Sequence, residues 1–306
     1  MPPRQPSPAS IQNARSAFAR LGSKTKVADE LGIPRTTINE WLRQPVIELP
    51  PPKGRKEVTL ENGVIIIAGD CHYWPGPASA GHRALCLLTK ELAPNIIVMN
   101  GDVMDAACIS RHPPIGWNHI PSVKEELEVC QERLHEVELA AGKALKFWTL
   151  GNHDARFETR LATVAPEFKD VHGISLSDHF PSWAGCWSLH VNGIGGVYIS
   201  HRFKNGMHAA HNSALWAGRS TVTGHLHSLK VSPISDFNGT RFGVDGGCIA
   251  YPYADAFQDY GEDNPRSWRS GFVVLTIQAG RLLWPEVVHV IDEAGLIEFR
   301  GQVFNV

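Results

Sequence analysis

The hydrophobic pattern divides the chain into a helical N-terminal part and a longer part in which strands and helices alternate. From Ile11 to Arg43, apolar residues recur at helical spacing in three short stretches, the first of which stops at Gly22. Ser23 can cap the second stretch, and Pro34 suits the first turn of the third. We therefore expect three short helices in this region.

From residue 58 onward, apolar runs of strand length alternate with amphipathic stretches of helical length. The runs "GVIIIAGDCH", "NIIVMNGDVMD" and "LKFWTLGNHD" each end in polar residues, with helices predicted over Ala80–Leu92 and Ser122–Lys143. Two further runs, "GVYISHR" and "TVTGHLH", end in histidines. Such alternation indicates parallel strands covered by helices, with ligands gathered beyond the carboxyl ends of the strands. We expect an α/β domain whose polar side chains meet at one edge.

Charge separates the same two parts. Residues 1–57 contain ten Lys or Arg against five Asp or Glu, whereas the remainder is acidic and the 306 residues together carry a net charge of −2. Prolines at 45, 50, 51 and 52 favour an extended spacer between the parts. We predict a basic domain at 1–44, a Pro-rich linker at 45–57 and a large domain at 58–306, with different partners for the two domains.

Cysteine usage and hydropathy favour a cytoplasmic protein. The six cysteines are irregularly spaced and include no Cys-x-x-Cys pair, which is typical of reduced cysteines rather than of a disulfide framework. No apolar run approaches the roughly 20 residues that span a bilayer. The first residues lack the apolar core of a secretory signal. We expect no membrane association, and the sequence leaves the oligomeric state open.

The N-terminal part resembles the helix-turn-helix of phage, transposase and regulator DNA-binding domains. The stretch that carries the resemblance is "VADELGIPRTTINEWL", within residues 11–43. It implies that the third helix is a recognition helix, with base edges and phosphates contacted by Arg35, Thr36, Thr37 and Asn39. The alternative is a three-helix module that binds a protein or dimerises.

Five polar clusters in the larger part form a second resemblance. His225 and His227 are two residues apart at the end of a predicted strand, so their rings lie on the same face. Taken alone, this pair is more simply interpreted as two polar side chains at a strand end. Together with "GDCH", "GDVMD", "GNHD" and "SH", however, "GHLH" resembles the signature of the calcineurin-like metallophosphoesterase superfamily. The resemblance implies a four-layer α/β/β/α sandwich. It also implies that the late strands "GFVVLTIQ" and "RLLWPEVVHVI" belong to the second sheet.

The resemblance implies a site with two divalent metal ions. Mixed nitrogen and oxygen ligands suit Mn²⁺, Fe or Zn²⁺ better than Ca²⁺, and Mn²⁺ is our first expectation. Such a pair can activate a shared water and hold both the attacking and the departing oxygen of a phosphoester. His153 would face the substrate as a catalytic acid, with Asp105 orienting its ring. Seven residues would bind metal: Asp70, His72 and His227 for one ion, Asn152, His201 and His225 for the other, and Asp102 as the bridge.

Two further predictions concern residues next to this site. Arg156 and Arg160 lie one helical turn apart and could bind a phosphate, the alternative being a solvated helix face paired with Glu158. Residues 251–270 form a long predicted loop with aromatic residues near the site, and long ordered loops are often functional.

The substrate class follows from two features. Ala106 and Ala107 follow "GDVMD", and the third motif ends in Asp154 rather than Glu, which argues against a Ser/Thr protein phosphatase. The attached helix-turn-helix favours a phosphodiesterase or nuclease acting on DNA, and so compact a fusion would suit a phage or prophage. The alternatives are a small-molecule phosphomonoesterase or cyclic-nucleotide phosphodiesterase, and a DNA-binding regulator with a scaffold phosphoesterase domain. The complete set of metal-binding positions argues against the scaffold.

Overall fold

A computed structural model describes residues 8–43, 54–111, 119–193, 196–253, 257 and 267–306. The chain divides into two compact units, Met1–Pro52 and Lys53–Val306. Most of the predicted linker, residues 45–53, lies outside the described residues. Within the described part of the chain, no helix is both long and apolar enough to cross a membrane.

The first unit contains the three expected helices. They are α1 (Pro8–Leu21), α2 (Lys24–Leu31) and α3 (Arg35–Arg43). The hydroxyl of Ser23 accepts a hydrogen bond from the Lys26 amide and caps α2, which ends at Gly32 in the left-handed conformation that glycine adopts without strain. The apolar stripes meet in a small core of four buried residues: Ala14, Ala17, Val27 and Ile38.

The second unit contains five α-helices and fifteen strands within the described residues. The helices are α4 (Ala80–Leu92), α5 (Val123–Ala141), α6 (Asp154–Val164), α7 (Leu176–His179) and α8 (Ala209–Ala217). The strands are β1 (Arg55–Val58), β2 (Gly63–Ala68), β3 (Ile96–Met99), β4 (Leu145–Thr149), β5 (Ala184–Cys186), β6 (Ser188–Val191), β7 (Val197–Ile199), β8 (Ser220–Thr223), β9 (Lys230–Asp236), β10 (Gly239–Asp245), β11 (Gly271–Gln278), β12 (Arg281–Leu282), β13 (Glu286–Val290), β14 (Leu296–Phe299) and β15 (Gln302–Asn305).

These strands form two mixed sheets. One has six strands in the order β1-β6-β7-β8-β10-β9. The other has nine, ordered β15-β14-β13-β11-β2-β3-β4-β5, with β12 paired to β11. Within the larger sheet, β2 to β5 run parallel, as the strand–helix alternation predicts, whereas β11 and β13 to β15 pair antiparallel.

Alternation along β2 explains how the layers stack. Ile65 and Ile67 point into a core between the two sheets, and Ile66 and Ala68 point into the core that α4 and α5 cover. Helix α8 packs on the other sheet, over β8, β9 and β10. The result is the four-layer α/β/β/α sandwich implied by the resemblance, and that prediction is confirmed.

The prediction for the late strands is wrong. Strands β11 and β13 do not lie in the second sheet; they extend the sheet that carries the first three motifs. Strand β3 occupies only one edge of β2, and β11 hydrogen-bonds along the other edge, with Val273 opposite Ile67. The second late run is also divided into β12 and β13 around Pro285, which has no amide hydrogen for the ladder.

Strand β1 revises the end of the predicted linker. Residues 55–57 belong to β1, which pairs parallel with β6, Arg55 lying opposite Ser188. The smaller sheet therefore begins inside the segment that its prolines predict to be a spacer.

Candidate metal centre

The loops that follow five strands converge at one end of the sandwich. The polar motifs come directly after β2, β3, β4, β7 and β8. The Asp70 amide donates to the Gly101 carbonyl at 2.8 Å, and the Tyr73 amide donates to the Val103 carbonyl at 2.9 Å, so the first two loops run side by side. The Gly224 amide donates to the His201 carbonyl at 3.0 Å and joins the last two.

The first side-chain cluster consists of Asp70, His72 and His227, all buried. Their ligand atoms lie within 4.8 Å of one another, and Nε2 of His227 lies 3.0 Å from Oδ1 of Asp70. This trio, which the sequence assigns to one ion, could hold a metal.

The second cluster consists of Asp102, His201 and His225. Nδ1 of His201 donates to the Asn100 carbonyl at 2.8 Å, which leaves Nε2 as the ligand atom, 3.1 Å from Oδ2 of Asp102. Burial opposes ionisation of Asp102, but the charge of the adjacent His201 ring outweighs burial and holds the pKa of Asp102 below its usual range. This trio could therefore hold a second cation beside an ionised carboxylate.

Unpaired buried atoms indicate that the centre is built for a ligand. Nε2 of His72, Oδ1 of Asn152, Nε2 of His201 and Nδ1 of His227 are buried and have no hydrogen-bond partner among the described residues. An unsatisfied buried polar atom costs about 1–3 kcal/mol, so four at one place are expensive unless something binds them. Nitrogen and oxygen donors of this kind suit a divalent transition metal, so the residues fit the implied group.

His153 and Asp105 form a hydrogen-bonded pair beside the clusters. Nδ1 of His153 lies 2.8 Å from Oδ1 of Asp105, and Nη2 of Arg156 lies 3.2 Å from Nε2 of the same ring. Burial lowers the pKa of His153, but the hydrogen bond to Asp105 and the charge of Asp102 outweigh it, so the pKa is raised overall. Asp105 also lies 2.9 Å from Nδ1 of His72, a second contact that the sequence did not indicate.

The two predicted phosphate-binding arginines are placed differently. Arg156 reaches the site, and its Nη1 donates to the Asp105 carbonyl at 2.9 Å. Arg160 is exposed one turn further along α6, and no contact within the described part of the chain joins it to the clusters. Arg156 is therefore the better placed of the two.

Asp154 has a structural role that sequence reasoning missed. Its buried carboxylate accepts five hydrogen bonds, from the amides of Asp102, Val103, Met104 and Gly151 and from the indole of Trp148. Burial and the neighbouring Asp102 raise its pKa to about 6. One side chain thus fixes the second motif against the third. The available signal was an acidic residue in the first turn of α6, where amides lack helical partners.

Two motif glycines are required by close approach. A Cβ on Gly151 would collide with the Asp102 carboxylate, and one on Gly224 would lie 2.5 Å from Oδ2 of Asp70. The residues that precede Asn152 and His225 must therefore lack side chains for the loops to come together.

Two aromatic rings, of Phe257 and Trp268, pack against the first cluster, as expected from the aromatic residues of the predicted loop. The ring of Phe257 lies 5.0 Å from His72, and that of Trp268 lies 4.4 Å from His227. The two aromatic rings are 5.4 Å apart. Residues 254–256 and 258–266 of the same predicted loop lie outside the described residues.

The predicted DNA-reading residues lie along α3 in the first unit. Arg35 and Thr36 are exposed, whereas Thr37 and Asn39 are half-buried. Nζ of Lys24 donates to Oδ1 of Asn39 at 2.7 Å, which places a cation from α2 beside that face. Their role in DNA binding stays a prediction.

Comparison with known proteins identifies a family for most of the larger unit. The model of the calcineurin-like phosphoesterase family matches residues 63–241, a segment that contains all five motifs but not the helical unit. Among solved structures, a single mutant of Vps29 from Entamoeba histolytica is 13% identical, with 79% of this chain and 99% of that chain covered and a TM-score of 0.41. Wild-type Vps29 with Zn²⁺ from the same organism is 12% identical, with 79% and 98% covered and a TM-score of 0.40. No curated protein matches the chain.

Proposed function

Because the chain belongs to the calcineurin-like phosphoesterase family, we propose that it hydrolyses phosphoester bonds with two divalent metal ions, Mn²⁺ foremost. Asp70, His72 and His227 would hold one ion, and Asn152, His201 and His225 would hold the other, with Asp102 as a ligand that serves both. The observation that carries the proposal is the group of four buried nitrogen and oxygen atoms without hydrogen-bond partners, because every one belongs to a residue of these two sets.

The chain's own residues prepare the remaining chemistry. Bound divalent cations would supply Lewis-acid polarisation of the phosphoryl group and lower the pKa of water. His153, which the Asp105 carboxylate keeps in a proton-donating state, delivers a proton to the departing oxygen. Arg156 places a positive charge against the same ring, where it can bind a phosphoryl oxygen.

We propose further that the phosphoester is a phosphodiester of DNA. The helical unit contains six Lys or Arg against three Asp or Glu in residues 8–43, and α3 presents Arg35 and Thr36 to solvent. Beside the centre, the half-buried Trp268 provides an aromatic ring on which a base can stack, whereas Phe257 is only 3% exposed and packs against that ring at 5.4 Å. The basic charge of the helical unit and the aromatic ring at the phosphoesterase centre together favour a nucleic-acid substrate over a small phosphomonoester.

The substrate class is tested with two forms of the protein. The full chain and a form that starts at Lys53 are loaded with Mn²⁺ and assayed on a phosphomonoester, a small chromogenic phosphodiester, single- and double-stranded DNA, and RNA. Residue 53 is the correct start because β1 begins at Arg55 and pairs with β6. We expect both forms to hydrolyse the small diester equally, and the shorter form to cleave DNA poorly at low substrate concentration.

DNA binding is measured separately by gel shift at two salt concentrations. Each lost phosphate contact should reduce the slope of log affinity against log salt by about 0.9. Arg35→Ala should weaken binding, whereas the matched control Arg20→Ala should not, because Arg20 is paired with Glu30 at 2.5 Å. Equal binding by the full chain and the Lys53 form would assign the helical unit to protein contacts. Hydrolysis of the phosphomonoester alone would favour a small-molecule enzyme, and hydrolysis of nothing would favour a scaffold.

A further inference from the structure

The outer face of the six-stranded sheet contains a polar cavity. Leu189, Val191, Val197 and Ile199 point into the core between the sheets, so the alternate residues of β6 and β7 face outward. Helix α8 covers the β8, β9 and β10 half of this outer face. Over the β1, β6 and β7 half lies a cavity of about 450 Å³, lined chiefly by Arg55, Glu57, His190, Tyr198, Phe203 and Arg219.

The sheet register places these groups side by side. Glu57 lies opposite His190, and His190 lies opposite Tyr198. Arg55 precedes Glu57 by two residues on β1 and so shares its face. Two arginines against one glutamate give the lining a net positive charge, and the volume suits a small ligand.

Two residues that line this cavity each have a buried donor without an acceptor. Nη1 of Arg219 lies 3.4 Å from Nδ1 of His190 and donates to it, so the imidazole proton is on Nε2. That Nε2 is buried and has no partner among the described residues, and the same is true of Nε of Arg55. His190 as a whole is only 6% exposed. Unpaired N–H groups beside two guanidinium groups require an acceptor, and an anion satisfies them best.

Two aromatic side chains of the cavity lie next to its arginines. The ring of Tyr198 lies 5.0 Å from His190 and 6.0 Å from Phe203, which is 42% exposed. A planar ring can stack on such a surface while its anionic group meets the arginines. Phe203 follows the metal-centre residue His201 by two positions, so the cavity borders the loop that carries part of that centre.

We propose that this cavity is a nucleotide-binding site, distinct from the metal centre, in which Arg55, His190 and Arg219 bind the phosphate and Tyr198 and Phe203 contact the base. The phosphate can belong to a free mononucleotide or to one nucleotide of a strand. The anion chemistry does not depend on the proposed hydrolysis, because none of these residues belongs to the metal clusters.

The test follows the imidazole of His190 by NMR in the full chain labelled at its histidines, with His190→Gln identifying its signal. Burial, Arg55 and Arg219 lower the pKa of His190 in the free protein. We expect dAMP, or a phosphorothioate hexamer of deoxyadenosine if the site takes only a strand, to shift this signal saturably and raise the pKa. Adenosine should leave it unchanged, and inorganic phosphate should bind more weakly than dAMP.

Variants show whether the arginines are responsible. Arg55→Gln and Arg219→Lys should each weaken binding of the nucleotide that shifts the signal, by about 10-fold or more, since each loses hydrogen bonds to a charged group. Arg241→Gln is the matched control, because Arg241 lies on β10 outside the cavity and pairs with Asp236 at 2.8 Å. The proposal is overturned if neither nucleotide moves the His190 signal, if adenosine moves it equally, or if Arg55→Gln binds like Arg241→Gln.

Discussion

The helical unit and the metal centre are held in shape by different means. Among the described residues of the helical unit, the backbone takes a positive φ only at Gly22 and Gly32, where glycine tolerates it. At the metal centre, five non-glycine residues take a positive φ: Asp70, His72, Asp102, His225 and His227. Such conformations cost roughly 1–2 kcal/mol each. Local sequence therefore determines the helices, whereas the strained loops persist only because two sheets and their hydrogen bonds hold them.

The largest expected effect comes from the carboxylate proposed to serve both ions. Asp102→Asn should lower the metal content and reduce turnover by about 10⁴-fold or more, because several kcal/mol of charge stabilisation depend on the pair. Elemental analysis and kcat measured on one preparation test this. Asp170→Asn, at an exposed position, is the control. Two metals per chain with near-normal kcat would remove Asp102 from the bridging role.

A smaller loss is expected where the side chain contacts the substrate rather than metal. His153→Ala should retain both ions and lose about 10²- to 10⁴-fold in kcat, the usual contribution of a positioned acid. His135→Ala, at an exposed position on α5, should behave as the unaltered protein. Release of metal from the His153 variant would mean that His153 is itself a ligand.

Glu126 shows how much folding stability is lost by burying an ionisable side chain next to the metal centre. It is fully buried, accepts from the amides of Ala106 and Ala107, and burial raises its pKa to about 7. Because this pKa lies above that of the unfolded chain, the stability associated with Glu126 falls as pH rises from about 4.5 to about 7. As the pH rises across that window, the free energy of unfolding of Glu126→Gln should therefore increase by up to about 3 kcal/mol relative to that of the unaltered protein.

Chemical unfolding at pH 5 and pH 8 measures this difference. Glu128→Gln, exposed on the same helix, should show no such gain. Parallel pH dependence in the unaltered protein and the Glu126 variant would contradict the prediction.

The smallest expected effect is on the stability of the helical unit. Gly32 has a φ of 65°, and a Cβ there would meet nothing within 4 Å. Gly32→Ala should therefore cost about 1 kcal/mol through backbone conformation alone. Hydrogen exchange of amides in residues 8–43 should quicken, while hydrolysis of the small diester stays unchanged. Unaltered exchange in those helices would show that α2 does not end in the left-handed conformation.

The same contrast explains how far the sequence predicts the molecule. The bounds of α4 agree with the predicted 80–92, and Ser23 caps α2 as expected, because these features depend on neighbours in the chain. The clusters were also predictable, since the carboxyl ends of parallel strands must meet at one edge. Their roles as metal ligands stay a prediction that the Asp102 and His153 variants address.

Features that depend on distant partners were not predictable. Nothing in the sequence near Asp154 indicates that three of its five donors lie in residues 102–104, about fifty positions earlier. The apolar sequence of β11 predicts a buried strand. It does not predict which strand β11 pairs with, because the faces of both sheets are equally apolar. The cavity at His190 likewise requires the register of three strands and the position of Arg219.

The position of β11 has a consequence for the order in which the molecule forms during synthesis. Helices α1 to α3 pack on one another within residues 8–43, so these contacts can form as soon as that stretch leaves the ribosome. Strand β2, which leads into Asp70, receives its second neighbour only when Val273 arrives opposite Ile67. Until then one edge of the strand that presents the first motif has open amides and carbonyls, and this exposed edge is where a nascent chain can pair with the wrong strand. Such an edge offers a binding site to chaperones that recognise extended apolar segments, and the described helices of the smaller unit present no strand edge of this kind.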